Sequence, residues 1–299
     1  MAALTALMDK YTWVMTELRD PRTDGWFMME SVWPTVAAVL VYLVVVAWGS
    51  RLMSNRPAFK VNNLLVAYNF LLMLLCMYLF VEFVISAWLQ PGFSLTCQPV
   101  DYSNDPMAVR LAHVCWWFYF SKLIELLDTV FFVLRKKGNQ ISFLHLYHHS
   151  TMPILWWAGA RFVPGGEGYF SASINCLIHV IMYLYYLLSA MGPSMKKYLW
   201  WKKYMTTMQL MQFWAILGHT TYSIYLDCGY PLGYNIGFLT YMISHIVLFS
   251  NFYYQTYINK SQRPTSLENG SAKAKQKNGI INGTVQSGVT NGSLRKRIE

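Results

Sequence analysis

The chain has 299 residues, 55% of them hydrophobic and only 13% charged. Soluble domains carry about 25% charge, and here the apolar residues gather in blocks of about 20, the length that crosses a bilayer as a helix; this excludes an ordinary soluble domain. The formal charge of +10 invites a nucleic-acid reading. The basic residues, however, sit in short loops between apolar blocks and in the C-terminal tail, as a membrane topology signal does. The lipid bilayer is therefore the expected partner, and nucleic acid is not.

Residues 1–32 are mixed polar and aromatic, with Asp20-Pro21-Arg22 and Asp24-Gly25. No apolar run precedes them, so no secretory leader is expected. Seven apolar segments follow, at roughly 33–52, 64–88, 108–134, 141–160, 169–190, 204–226 and 235–258. The fold expected is all-α, a polytopic membrane protein with seven transmembrane helices. Its domains are a lumenal segment 1–32, a seven-helix unit 33–260 and a disordered cytosolic tail 261–299. The first segment opens on Trp33-Pro34, a proline where a helix start tolerates one.

The loops alternate in charge. The first holds Arg51, Arg56 and Lys60, the third Arg135-Lys136-Lys137, and the fifth Lys196, Lys197, Lys202 and Lys203; the second and sixth hold no Lys or Arg, and the fourth only Arg161. Odd loops and the C-terminus are thus expected in the cytosol, with the N-terminus in the lumen. Cys97 and Cys228 fall in the two loops lacking basic residues, on one oxidising side, and a Cys97–Cys228 disulfide is expected. From Ser261 onward the chain turns to Ser, Asn, Gly, Lys and Gln, the composition of a disordered tail. It ends on Arg295-Lys296-Arg297-Ile298-Glu299, similar to a basic retrieval signal of the early secretory pathway.

Polar groups inside the spans carry the chemistry. Segment 3 holds Lys122-x-x-Glu125-x-x-Asp128-Thr129, a cation and two carboxylates at one-turn spacing. Each costs on the order of 3 kcal/mol to insert at midplane, so such groups pair with one another or line a polar cavity. Segment 4 holds His145-x-x-His148-His149, three imidazoles sharing a helical face. Asn175, His179, Met182 and Tyr186 form one helical stripe in segment 5. Segment 6 adds Thr206-x-x-Gln209-x-x-Gln212. One such span is packing glue; four together define a shared polar cavity. His113, His219 and His245 stand alone and read as satisfied core groups, and Glu82 as a structural partner or an interfacial residue.

Three histidines on one face invite a metal, with Glu125, Asp128 and His179 to complete a set. Di-iron membrane desaturases draw on several histidine clusters, whereas this chain has one box and one further well-placed histidine. No metal and no redox cofactor are expected. The alternative is nucleophilic catalysis, in which one imidazole attacks a thioester and another polarises or deprotonates the next reactant. Cys176, one turn before His179, is the rival nucleophile, although a small buried hydrophobe is its plainer reading.

These four boxes, in this order and spacing, match the signature boxes of the ELO family of fatty-acid elongases over about residues 20–260. The string Gln140-x-x-x-Leu144-His145-x-Tyr147-His148-His149 resembles the branch handling polyunsaturated and very-long-chain substrates, and the whole sequence is most similar to animal very-long-chain elongases of the ELOVL four type. The resemblance implies a 3-oxoacyl-CoA synthase of the endoplasmic reticulum that condenses acyl-CoA with malonyl-CoA, with spans 2–7 around a narrow tunnel. By matched position it implies His148 as nucleophile, with His145, His149 and His179 orienting it or assisting decarboxylation. Glu125 and Asp128 fall in the first box, and Asn175, Tyr183 and Tyr186 would line the site. Lys122, Arg135, Lys137, Gln140, Lys202 and Thr206 would hold the CoA end, with Gln209 and Gln212 of the last box beside them. The implied partners are the ketoreductase, dehydratase and enoyl reductase of the elongation cycle, and homo- or hetero-oligomers with other elongases. The rival functions are a metal-dependent lipid desaturase or hydroxylase and a non-enzymatic seven-span transporter or receptor.

Overall fold

The computed structural model describes residues 1–259; the tail with its basic end lies outside the described residues. Among these the chain is helical, with α1 (Ala2–Glu17), α2 (Trp33–Leu52), α3 (Asn62–Leu89), α4 (Pro106–Ile124), α5 (Leu127–Leu134), α6 (Phe143–Phe162), α7 (Gly168–Ala190), α8 (Lys202–Leu226) and α9 (Leu232–Tyr253). Met1–Phe252 form one compact unit and the chain from Tyr253 another. In the second unit the described residues Tyr254–Asn259 make a π-helical turn, in which Asn259 Nδ2 donates to Gln255 Oε1 at 3.0 Å.

All seven predicted apolar segments are helical. Four helices are long and apolar enough to cross a membrane by length and composition: α2, α3, α7 and the one beginning at Leu232. The other segments, α4–α5, α6 and α8, carry the lysine, histidine, threonine and glutamine residues of the site, which lowers their hydropathy. α1 departs from the sequence reading, which assigned no element before residue 33. Its Ala, Leu, Met, Lys and Glu residues are good helix formers, and proline first enters at Pro21.

The second departure lies in segment 3. One helix over 108–134 is expected, yet the chain breaks between α4 and α5 at Glu125 and Leu126. Leu126 N–H donates to Leu123 O at 3.3 Å and Asp128 N–H to Glu125 O at 3.1 Å, so i→i+3 bonds satisfy the backbone through the break.

The core is built around α3, α4, α6 and α7. The most extensive helix pair is α3 with α7. Ala172 and Cys176 on α7 are fully buried against this core, and small side chains let two helix backbones approach closely in an apolar medium. α2 lies to one side with a narrow inward stripe, Thr35, Val39 and Tyr42, at i, i+4 and i+7. It leaves Leu40, Val41, Val44 and Trp48 exposed. Two hydroxyl bonds fix it: Thr35 Oγ1 with Tyr119 OH at 2.6 Å, and Tyr42 OH with Thr129 Oγ1 at 3.1 Å.

One end of the unit is tied by a disulfide between Cys97 and Cys228, joining the α3–α4 loop to the α8–α9 loop across 131 residues as the sequence led us to expect. Arg161, expected in the fourth loop, lies in the last turn of α6, buried and neutralised by Asp24 at 2.8 Å. Glu82 pairs with Arg110 at 2.7 Å. At the opposite end Phe59 N–H donates to Leu134 O at 3.0 Å and Lys136 Nζ to Ser54 O at 2.9 Å, joining the first and third loops.

Candidate active site

The break between α4 and α5 sends its two carboxylates to different partners on α7. Lys122 Nζ donates to Glu125 Oε1 at 2.7 Å and to Asn175 Oδ1 at 3.0 Å, and stands 3.4 Å from His179 Nδ1. Glu125 Oε1 lies 3.2 Å from the same His179 nitrogen. All four side chains are buried. Asp128, one turn on, accepts instead from Tyr183 OH at 3.0 Å. An ion pair so deep repays its desolvation only when further hydrogen bonds satisfy it, and Asn175 and His179 supply them.

The histidine box begins three residues after a helix cap: Ser142 Oγ accepts from His145 N–H at 3.2 Å and starts α6. Beyond the box, Pro153 has no N–H to give the carbonyl of His149. Thr151 Oγ1 bonds Tyr147 O at 2.6 Å and Tyr241 OH at 2.8 Å, holding this turn of α6 against α9.

The three imidazoles do not point at one common target. Nε2 of His145 meets Thr129 Oγ1 of α5 at 2.7 Å. His148 turns toward α9, where its Nδ1 lies 3.3 Å from Nε2 of His245. His149 sits between them, its ring centroid 4.2 Å from that of His145 and 5.4 Å from that of His148. The shared face expected from i, i+3, i+4 spacing spreads into a fan because α5 and α9 approach α6 from different sides.

Two cavities follow the inner face. The first is lined by His148, Asn175, Gln212 and His245 among aromatic and apolar side chains. The second shares Trp156, Ser171 and Phe238 with it and continues toward Glu167, Thr220, Tyr230 and Asn235. Cys176 lines neither; it is a buried free thiol packed in the core, the plainer of its two readings.

The structure therefore gathers Lys122, Glu125, Asn175 and His179 into one cluster, pairs Asp128 with Tyr183, and sets His148 and Gln212 at the cavity. Lys137, Gln140 and Lys202 are exposed and Arg135 half-buried on the surface, apart from that cluster. Thr206 is buried and bonds back to Lys202 O at 3.4 Å. Gln209 lies 3.8 Å from Met182 Sδ, and Tyr186 packs edge-on to Tyr183.

Two histidines read from sequence as isolated core groups are not isolated. His245 contacts His148, and His219 faces Glu167. The signal available for His245 was its place on a polar and aromatic stripe of α9, with Asn235, Phe238 and Tyr241 at helical spacing. His113 stacks on Trp26 at 4.2 Å, a packing role.

Among the described residues, one group brings three potential ligand atoms within 4.8 Å of one another: Cys76, Glu125 and His179. The ammonium of Lys122 already stands against two of them and supplies the positive charge a metal would bring. The box histidines are not part of that group.

Helices carrying buried charges, an imidazole fan and an inner cavity define a helical membrane protein with a polar interior site. The chain belongs to the ELO family, described as the GNS1/SUR4 family, which matches residues 27–265. It is 43% identical to very long chain fatty acid elongase 4 of Homo sapiens over 94% of each chain. It is 45% identical to very long chain fatty acid elongase 2 of Mus musculus over 86% of this chain and 88% of that one. A very long chain fatty acid elongase of Aedes aegypti is 44% identical over 90% of this chain and 75% of its own.

Proposed function

We propose that this protein is the condensing enzyme of very-long-chain fatty-acid elongation, a 3-oxoacyl-CoA synthase. The observation that carries the reading is His148 at the wall of a cavity otherwise lined mainly by apolar and aromatic side chains, one helix away from the Lys122–Glu125–Asn175–His179 cluster. A ring nitrogen of His148 attacks the thioester carbonyl of a long-chain acyl-CoA. The carbon–sulfur bond breaks, the thiolate takes the N–H proton of the acylated ring and leaves as CoA thiol, and the acyl group stays on the imidazole. Malonyl-CoA then loses CO2, and the electron pair of the broken carbon–carbon bond forms the enolate. That carbon attacks the acyl-imidazole, the acyl carbon–nitrogen bond breaks, 3-oxoacyl-CoA is released, and His148 regains its ring proton from solvent. In this reading Lys122, His179 and Asn175 stabilise the developing enolate oxygen, with His145 and His149 assisting.

In this reading α2, α3, α4–α5, α6, α7, α8 and α9 are the seven spans, and the two cavities belong to a tunnel for the acyl chain. CoA sits at the end bearing Arg135, Lys137, Gln140 and Lys202, which faces the cytosol, and the disulfide end faces the lumen of the endoplasmic reticulum. Polyunsaturated chains are the preferred substrates, no metal or redox cofactor takes part, and the reductases and dehydratase of the cycle act on the product.

The test is purified protein given a panel of acyl-CoAs and labelled malonyl-CoA. It should release 3-oxoacyl-CoA and CO2 in equal amounts, and His148→Ala should form no acyl adduct by intact mass. Oxygen-dependent desaturation or hydroxylation of the lipid, or binding without turnover, would replace this reading with one of its rivals. An adduct that maps to Cys176 would move the nucleophile to the thiol.

A further inference from the structure

We infer that His245 is a positioning residue that fixes the tautomer of His148, so that the nucleophilic nitrogen of the box is Nε2. The inference rests on the acyl-histidine reading above and adds to it a residue outside the four boxes.

The argument starts from an atom with no ambiguity. The backbone carbonyl of Tyr241 can only accept, and Nδ1 of His245 lies 3.0 Å from it, so that nitrogen bears the hydrogen. A neutral imidazole carries one N–H, which leaves Nε2 of His245 as an acceptor. Its partner is Nδ1 of His148, 3.3 Å away, which must therefore donate. The proton of His148 is then placed on Nδ1, and Nε2 keeps its lone pair. Which ring nitrogen reacts is set by the bond the other one makes.

The surroundings hold this relay in place. His245 is fully buried, with Tyr147 and Phe213 rings each 5.4 Å and the Tyr241 ring 4.2 Å from its own. Among the described residues no acidic side chain bonds to it. Tyr147 OH bonds Ser244 Oγ at 2.9 Å and Thr151 Oγ1 bonds Tyr241 OH at 2.8 Å, so α6 and α9 are pinned on both sides of the His148–His245 contact. An imidazole kept only for packing has no need of both nitrogens bonded in a directional chain. Without the acceptor, His148 is free to carry its proton on Nε2, the nitrogen the proposed attack requires bare.

The experiment follows single-turnover acylation of full-length protein by a long-chain acyl-CoA, without malonyl-CoA, using intact mass. His245→Phe keeps an aromatic ring but has no acceptor; His245→Gln places an amide oxygen near the Nε2 position. His245→Phe should slow adduct formation at saturating acyl-CoA about 10- to 100-fold, the scale of loss when a metal-bound histidine loses the hydrogen-bond partner that orients it. His245→Gln should recover most of the rate. His245→Leu is a second acceptor-free replacement should the Phe variant fail to fold. Wild-type rates in the acceptor-free variants, or equal losses in these and the Gln variant, would overturn the positioning role. His148→Ala separates the two layers: an adduct that persists there removes the acyl-His148 reading itself, whereas its loss beside a normal His245→Phe removes only the relay. Wild-type protein that forms no adduct overturns both.

Discussion

Two glutamate–histidine pairs stand among the described residues, and they differ in what completes them. Glu125 Oε1 and Glu167 Oε2 each lie 3.2 Å from a histidine Nδ1, of His179 and His219 respectively. Beside Glu125 stands Lys122, so the carboxylate has its countercharge and His179 needs none of its own. Among the described residues no such cation pairs with Glu167. Its Oε1 accepts from Gln98 N–H at 2.6 Å, and its Oε2 faces His219. His219 spends its other nitrogen on Leu95 O at 3.1 Å and stacks on Phe170. One pair is thus a closed charge network in the site, and the other is a two-member pair at the disulfide end.

The sharpest way to break this comparison is to remove the cation. Lys122→Met leaves Glu125 buried with His179 and no countercharge. Stripping one partner from a buried ion pair costs about 3–5 kcal/mol, so the variant should lose most of its thermal stability margin in detergent. Adding Glu125→Gln should restore a good part of it while activity stays absent. A double variant no more stable than the single one would show that the cluster is not held by charge pairing.

The next effect belongs to the other end. Replacing Cys97 and Cys228 together with Ala removes a cross-link closing a long loop, worth about 2–4 kcal/mol. Because the link is remote from His148, acylation per folded molecule should be preserved as the melting temperature falls. Loss of acylation in still-folded protein would tie the disulfide end to the site, against the separation drawn here.

Much of this was legible from residue spacing, and what was not has a physical reason. Blocks of about 20 apolar residues announced the helices because a bilayer leaves few other solutions. The disulfide was readable because two loops lacked Lys and Arg and each held one cysteine. The Lys122–Glu125–Asp128 spacing placed charges at one-turn intervals, but not the break that divides them. Neither proline nor glycine marks Glu125 and Leu126, and the interruption is sustained by i→i+3 bonds and by partners on α7 far along the chain. His245 was unreadable as a partner of His148 for a related reason. They are 97 residues apart, and only the packing of α9 on α6 brings them together. His219 and Glu167 likewise meet only through tertiary structure.

The mildest test concerns that last pair. Because the Leu95 carbonyl can only accept, Nε2 of His219 holds a hydrogen, and a neutral ring then turns a lone pair toward Glu167. An ionised carboxylate facing that lone pair is unfavourable, so the pair is best satisfied with one proton between its members. Burial pushes the Glu167 carboxyl above its ordinary range. A carboxyl raised in the folded state binds its proton more tightly there than in the unfolded chain. Its contribution to stability is therefore full below the unfolded value of about 4.3 and is lost as pH rises through the folded value. Glu167→Gln keeps an oxygen for Gln98 N–H and removes the titration. Its melting temperature should fall less steeply with pH across that window than the wild type's, with little difference at the acid end. Parallel pH profiles for the two proteins would mean that Glu167 titrates as an ordinary surface carboxyl, and the contrast with the lysine-completed pair would reduce to geometry alone.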